Sequence, residues 1–280
     1  MITFCNLIAS FSISSSEYDF GDKEPRGRGA EGICIVIDFR YFVVCNRFQG
    51  ISSRKYMDES AIPFWFEDSL LHIGAEATAI SGSWMGLDAV LKKREPRAYR
   101  HPSLDKKLTR QRLAAEARIL SRLQRIDFPS PCLFDFDSEG GWILISRIDG
   151  VPLYEALQNG NAGLNEIKKF GELIRKLHEA DVSHGDLTTH NVLYDKAGNL
   201  SLIDFGLARI SPEIEQLGLD LQVLNECLTA SHYEIDSAVE VMIEGYLSGD
   251  SGQTKALVNI SAEEVIERFN AIRGRVRYHA

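Results

Sequence analysis

Two short motifs constrain this chain more than anything else in it. They are His184-Gly-Asp-Leu-Thr-Thr-His-Asn191 and, further on, Leu202-Ile-Asp-Phe-Gly206. Asp186 and Asn191 stand five apart, and Asp204 follows thirteen residues after Asn191. The stretch from Asn191 to Ile203 reads as strand, turn, strand, with Gly198-Asn199 at the turn. A hairpin there brings three oxygen-bearing side chains to one rim. Phosphoryl transfer uses such a set: one carboxylate orients the attacking hydroxyl or water, while an amide oxygen and a second carboxylate hold Mg²⁺. Taken singly, Asp186 and Asn191 fit turn caps and Asp204 fits a strand end. That reading accounts for each residue but not for their order and spacing.

The first half supplies a complement. Lys92 ends the predicted strand Val90-Leu-Lys92, and Glu116 lies on the helix that follows. A Lys held by a Glu clamps the α- and β-phosphates of a nucleotide. Lys93 is the rival for that role, and strand alternation puts the two on opposite faces. Alone, either charge reads as a surface residue; their place upstream of the Asp186 motif gives them meaning. Ile73-Gly-Ala-Glu-Ala77 carries one Gly where a kinase phosphate loop usually has three. Gly74 permits close backbone approach.

Around these residues the pattern is regular from Leu70 onward. Strands are predicted at 70–73, 77–85 and 87–92. A helix over 103–125 follows, capped by Ser103, with Leu104, Leu108, Ala115, Ile119 and Leu123 as its apolar stripe. Two more strands fit 132–136 and 142–148, and Gly150 and Pro152 then punctuate the chain. Leu164, Ile167, Phe170, Ile174 and Leu177 recur at helical spacing. Helices at about 213–229, 233–248 and 261–273 complete the reading. Residues 1–66 lack this regularity, apart from a strand-like run at 33–44, and receive no function; Met57 is a plausible alternative start. The expected fold is α+β and two-lobed: a small β-rich N-lobe with one helix over 67–148 and a helical C-lobe over 149–280.

Composition fits that picture. A chain of 280 residues with 44% hydrophobic and 25% charged residues has the make-up of a soluble globular protein. No apolar run is long enough to cross a membrane. The apolar N-terminus lacks the basic residues of a secretory signal. Five scattered Cys without a C-x-x-C read as reduced thiols in an intracellular protein. The seven His show no metal spacing, and His178, beside the apolar stripe, reads as a packed core residue. Net charge is −9, but nine Lys or Arg fall between Lys92 and Arg112, and nine acids with no Lys or Arg between Glu213 and Asp250. Segregation of that kind marks the basic run, with Arg273, Arg275 and Arg277, as a face for phosphates or an acidic partner.

The whole set resembles the eukaryotic-type protein kinase fold, and more closely the kinase/ATPase subunit of the KEOPS (EKC) complex. The resemblance runs from about Leu70 to Arg277. It is carried by Gly74-Ala-Glu-Ala77, Val90-Leu-Lys-Lys-Arg94, Tyr99-Arg-His-Pro-Ser-Leu-Asp105, Glu116-Ala-Arg118, His184-Gly-Asp-Leu-Thr-Thr189, Ile203-Asp-Phe-Gly-Leu207, Leu219-Asp-Leu221 and Arg273-Gly-Arg275. It implies an atypical serine/threonine kinase with ATPase activity, using ATP and Mg. Asp186, Lys92 and Glu116 would be catalytic. Gly74, Ala75, Glu76, Ala77 and Lys92, with Ile145 as gatekeeper and a hinge from Ser146 to Ile148, would hold the nucleotide. Asn191 and Asp204 would hold the metal. The implied partners are the other KEOPS subunits, chiefly the threonylcarbamoyl-transferring ATPase, with tRNA met through the assembled complex in cytoplasm or nucleus.

Three departures stand out. His190 sits where this family more often has a small residue, and packing is its expected role. Leu113 replaces a usual Thr. Ser211-Pro-Glu213 lies too near Asp204 to leave a normal activation loop, which makes docking of protein substrates by this chain alone doubtful. Two rival readings are a small-molecule phosphotransferase of the aminoglycoside-kinase type and a non-catalytic interaction module on a kinase fold. The Tyr99-Arg-His-Pro102 run and the lack of a large substrate-binding insertion weigh against the first. The retained Lys92, Glu116, Asp186, Asn191 and Asp204 weigh against the second.

Overall fold

The computed structural model describes residues 35–38, 41–44, 62–74, 77–95, 101–250 and 260–276. By its internal contacts the chain divides into two compact units, Met1–Tyr56 and Met57–Ala280. In the first, the strand expected across 33–44 is two short strands, β1 (Ile35–Asp38) and β2 (Tyr41–Val44), paired antiparallel. The predicted residues Ala75, Glu76, Tyr99, Arg100 and Arg277 lie outside the described residues.

The second unit opens with an antiparallel sheet built from β3 (Trp65–Ile73), β4 (Thr78–Trp84), β5 (Leu87–Lys93), β6 (Leu133–Asp137) and β7 (Trp142–Ser146), in the order β3-β4-β5-β7-β6. Register sorts its side chains. Ile80, Leu91 and Leu144 are cross-strand partners and share one face, where they form a small apolar cluster with Ala89. Ala79, Lys92 and Ile143 are the next partners and must therefore share the other face. That second face carries Ile143 and Ile145 into the main core. Helix α1 (Pro102–Gln124) contributes Leu113, Ala117, Ile119, Leu120 and Leu123 to the same core.

Helix α1 departs from expectation in two ways. Pro102, not Ser103, opens it: His101 is the capping position, and the fixed φ of proline suits the first helical residue. The expected apolar stripe is buried at Ile119 and Leu123 but departs elsewhere. Leu104 is exposed, while Leu113 and Leu120 are fully buried. Glu116 lies three residues after Leu113 and four before Leu120, and it is itself buried. A helix that turns Glu116 inward carries those two leucines with it.

After β7 the ladder ends at Ser146, and Arg147 donates its backbone N–H to Asp88 at 3.0 Å. Then follow β8 (Val151–Pro152), α2 (Leu153–Gln158), α3 (Leu164–Glu179) and β9 (Val182–Ser183). Of the stripe expected on α3, Ile167, Phe170, Ile174 and Leu177 are buried and Leu164 is exposed. The predicted hairpin is β10 (Val192–Tyr194) and β11 (Leu200–Leu202), preceded by a single 3₁₀ turn over Thr189–Asn191. Next come β12 (Arg209–Ile210), α4 (Ile214–Ser231), α5 (Ala238–Ser248) and α6 (Ala262–Val276). The helix expected from 233 begins only at Ala238, because Ser237 adopts φ 61° and the chain between turns. Thus the α+β, two-lobed expectation holds: a sheet with one helix precedes a mainly helical half.

Helices α3 and α5 cross with almost no side chain between them. A Cβ on Gly171 would meet the Met242 carbonyl oxygen and lie 2.7 Å from the Tyr246 nitrogen, and one on Gly245 would meet the Lys168 carbonyl. Gly171→Ala should therefore force the helices apart and cost about 1–3 kcal/mol. Its melting temperature should fall, by roughly 2–4 °C for each kcal/mol in a domain of this size, measured by calorimetry. The second unit also holds both apolar clusters within itself. A chain beginning at Met57 is expected to melt in one cooperative transition, and a non-cooperative melt would contradict that.

Candidate active site

Five of the residues singled out from sequence meet in one charge cluster and the loop beside it. Lys92 projects from the main-core face of β5 and is mostly buried, whereas Lys93 is exposed, so alternation settles which of the two turns inward. The Lys92 Nζ donates to Glu116 Oε1 at 2.8 Å and to Asp204 Oδ1 at 2.9 Å. The second oxygen of Glu116 accepts from the Arg94 guanidinium at 3.1 Å. Burial by itself would lower the pKa of the Lys92 ammonium; the charges of Glu116 and Asp204 outweigh it and hold the pKa above the ordinary lysine value. Burial likewise pushes the Asp204 carboxyl up, but the Lys92 charge and hydrogen bond outweigh it and keep the pKa below the usual aspartate value. Asp204 adopts φ 63°, a left-handed conformation that Asp tolerates better than most residues.

On the other side of the cluster, Asn191 spans the loop. Its Nδ2 donates to the Asp186 backbone oxygen at 2.9 Å and to Asp186 Oδ2 at 3.0 Å. Its backbone oxygen accepts from Ile203 N at 3.0 Å, tying the loop to the residue before Asp204. With Nδ2 engaged, the amide oxygen of Asn191 is the atom left to meet a cation. Asn191 and Asp204 together offer oxygen donors only, which suits a hard cation such as Mg²⁺. Among the described residues, no group of three or more His, Cys, Asp or Glu could hold a metal.

The loop is held from below by a residue to which sequence reasoning gave no role. Asp220 on α4 is buried; it accepts backbone N–H bonds from His184 and Gly185, both at 2.7 Å, and faces His178 Nε2 at 3.2 Å. His178 Nδ1 lies 2.8 Å from the Tyr246 hydroxyl. A carboxylate accepts only, so His178 gives its Nε2 proton to Asp220 and receives the Tyr246 O–H at Nδ1. The expectation that His178 packs in the core is right, but it also relays a hydrogen bond toward the loop. The sequence signal was an acid between two leucines, Leu219-Asp-Leu221. Gly185 takes φ 80° and leaves no room for a Cβ, which would lie 2.6 Å from the Leu207 carbonyl oxygen.

Other expectations fall out as follows. His190 stacks on Tyr154 with ring centroids 4.1 Å apart and packs as expected. Ile145 is buried, while Ser146 bonds Cys132 through backbone and hydroxyl, both at 2.8 Å. Gly74 donates its N–H to the Ala77 oxygen at 2.9 Å, closing a tight turn between β3 and β4. Glu213 caps α4 in a reciprocal box with Gln216, so the segment after Asp204 closes straight into a helix. In the basic run, Lys106 and Arg110 both reach Glu139. Among the described residues, no helix is long and apolar enough to cross a membrane.

His184 Nε2 donates to the Ile203 carbonyl at 3.0 Å, and Nδ1 accepts from Asp186 N at 3.3 Å. That pattern requires the neutral ring, and burial lowers its pKa below the ordinary histidine value. The unfolded chain then binds more protons near its own pKa of about 6.5, so stability is intact above that pH and is lost as pH falls below it. By nitrogen-15 NMR the His184 ring should stay neutral, protonated at Nε2, at pH 6.5. Half-protonation there would contradict the assignment.

Comparison with known proteins follows the same residues. The Lipopolysaccharide kinase (Kdo/WaaP) family matches residues 89–213, a span that contains Lys92, Glu116, Asp186, Asn191 and Asp204. A probable bifunctional tRNA threonylcarbamoyladenosine biosynthesis protein of Methanothermobacter thermautotrophicus is 35% identical over 192 residues, covering 68% of this chain and 35% of that protein. The EKC/KEOPS complex subunit Tp53rkb of Mus musculus is 32% identical over 219 residues, covering 74% of this chain and 87% of that protein. The chain thus spans a little over a third of the archaeal relatives it matches. A solved structure of Rio2 kinase from Chaetomium thermophilum, in an ADP/Mg²⁺-phosphoaspartate complex, covers 76% of this chain and 72% of that one at 15% identity, with a TM-score of 0.47.

Proposed function

The chain belongs to the family of the EKC/KEOPS complex subunit, and on that premise we propose that it is an ATP-dependent phosphotransferase of kinase/ATPase type. Its setting is a KEOPS-type complex that supports threonylcarbamoyladenosine formation in tRNA. The observation that carries the reading is Lys92 held between Glu116 and Asp204, beside the Asp186–Asn191 pair. These are the parts that phosphoryl transfer needs, delivered by four separate stretches of chain.

In this reading Lys92 keeps its bond to Glu116 and donates to α- and β-phosphate oxygens. The Asn191 amide oxygen and the Asp204 carboxylate hold Mg²⁺, which when bound neutralises charge developing on the phosphates. Asp186 uses Oδ2 to accept from Asn191, which leaves Oδ1 to accept a proton from the attacking group. The attacking oxygen bonds to the γ-phosphorus as the bond to the β-bridging oxygen breaks, and ADP leaves. Gly74 and Ala77 line the phosphates, and the stretch from Ile145 to Ile148 borders the base.

Serine and threonine of other proteins are the finer acceptor assignment, with water as the nucleophile this chain handles best. Support comes from the segment between Asp204 and Glu213, which pairs β12 with β9 and enters α4 at once. Little surface remains there to set a peptide in line with the γ-phosphate, and in-line positioning supplies much of the catalysis. Water needs no docking site. The partners that follow are the other subunits of such a complex, chiefly the one that transfers threonylcarbamoyl, with tRNA engaged by the assembly.

Asp204→Ala should abolish ATP turnover while leaving the melting temperature within a few degrees of the wild type; unchanged turnover would overturn the site. Asp186→Ala should still bind Mg-ATP but hydrolyse it about 10²–10⁴-fold more slowly, the usual worth of a positioned base. In a reconstituted complex it should fail to support tRNA modification, read by mass spectrometry of the modified nucleoside. Full modification would make the loop a scaffold and return the interaction-module reading.

A further inference from the structure

Arg94 is the one member of the charge cluster to which the reaction described above gives no task. Its guanidinium is almost fully buried, 8% exposed, and donates to Glu116 Oε2 at 3.1 Å. Glu116 is buried deeper still, at 2%, and its other oxygen holds Lys92. One carboxylate therefore carries two cations, one on each oxygen. Arg94 also lies against the turn after Asp204. A Cβ built on Gly206 would come within 3.2 Å of both the Arg94 guanidinium and Asp204 Oδ1, and 3.9 Å from Glu116 Oε2, so Arg94 is one of its two nearest neighbours. Gly206 has no positive φ in this structure, so backbone conformation does not demand a glycine there. The space beside it is what Arg94 occupies.

We propose that Arg94 is a positioning residue for the phosphate-binding lysine: it fixes Glu116 and sets how firmly that carboxylate holds Lys92. The inference rests on the function proposed above, and its chemistry follows from charge and geometry. In this structure Lys92 is shared by two carboxylates. When Asp204 turns to a metal and Lys92 to phosphates, Glu116 remains buried with its full charge. It keeps its bond to Lys92, and without a second cation it would compete harder with the phosphates for that ammonium, because a buried carboxylate needs its counter-charge. The planar fork of the Arg94 guanidinium suits one edge of a carboxylate. With Oε2 occupied, the Glu116 side chain is locked with Oε1 toward Lys92, and its pull on the ammonium is weakened. Arg94 also fills the space beside Gly206, so the Lys92–Glu116 pair and the turn that carries Asp204 move as one assembly.

The test combines a kinetic cycle with a measurement that needs no turnover. Arg94→Ala should raise the KM for ATP about tenfold and lower kcat, with Arg94→Lys recovering part of both. Gly206→Ala, whose Cβ would press on both Arg94 and Asp204, should impair the otherwise wild-type enzyme and impair it severalfold less in an Arg94→Ala background, because one of its two close contacts is then gone. Without nucleotide, acylation of Lys92 at pH 9, read by peptide mass spectrometry, should slow severalfold in Arg94→Ala, since Glu116 then holds the ammonium more tightly. Unchanged Lys92 labelling, or Arg94 and Gly206 effects that simply add, would overturn the proposal. If the wild type itself neither binds nor hydrolyses ATP, the functional reading fails, while the labelling result still decides the role of Arg94 toward Lys92.

Discussion

The ammonium of Lys92 between two carboxylates is the interaction on which the rest of the molecule depends. Its partners are far away in sequence: Glu116 lies 24 residues on and Asp204 lies 112 residues on. Removing that charge from water is costly, and only well-placed opposite charges offset it. The sheet must present Lys92 on its core-side face, α1 must turn Glu116 inward, and the chain after β11 must bring Asp204 back to the same point. Leu113 and Leu120 secure the second condition and the β10–β11 hairpin secures the third. A fold that failed any of them would leave a buried ion without its counter-charge.

The second constraint lies beneath the catalytic loop. Asp220 reads the backbone of His184 and Gly185, and His178 and Tyr246 hold Asp220 in turn. This chain of bonds joins α3, α4, α5 and the loop, and His178, His184, Asp220 and Tyr246 in it are buried. The close crossing at Gly171 and Gly245 brings Tyr246 within reach of His178. So the small residues of a helix crossing, which carry no chemistry themselves, decide where Asp186 stands. The two networks differ in exposure: Asp204 in the one around Lys92 is half open to solvent, whereas Asp220 and His178 in the other are buried.

Legibility followed the range of the interaction. Lys92, Glu116, Asp186, Asn191 and Asp204 were readable as a set because their order and spacing belong to the chain, and because strand alternation and a hairpin are local rules. The stripe on α3 was readable in all but Leu164 for the same reason: a helix that packs on one side repeats its apolar residues. On helix α1, Ile119 and Leu123 were read as buried, but Leu104 is exposed and Leu113 and Leu120 were missed, because a hydrophobic count treats Glu116 as a surface residue. The rotation of the helix is set by an ion pair that periodicity does not see. The late start of α5 at Ala238 escaped too, since a left-handed Ser237 leaves no composition mark.

By itself, then, the sequence determined the α+β, two-lobed plan and the identity of the charged residues that meet, because spacing and side-chain chemistry are properties of the chain. Only the tertiary structure decided which groups became buried partners. It gave Asp220 the backbone of the catalytic loop, His178 its two hydrogen bonds, and Arg94 the second oxygen of Glu116. Those roles arise from bringing polar groups out of water together, where each must find a partner across helices and strands that no local pattern connects.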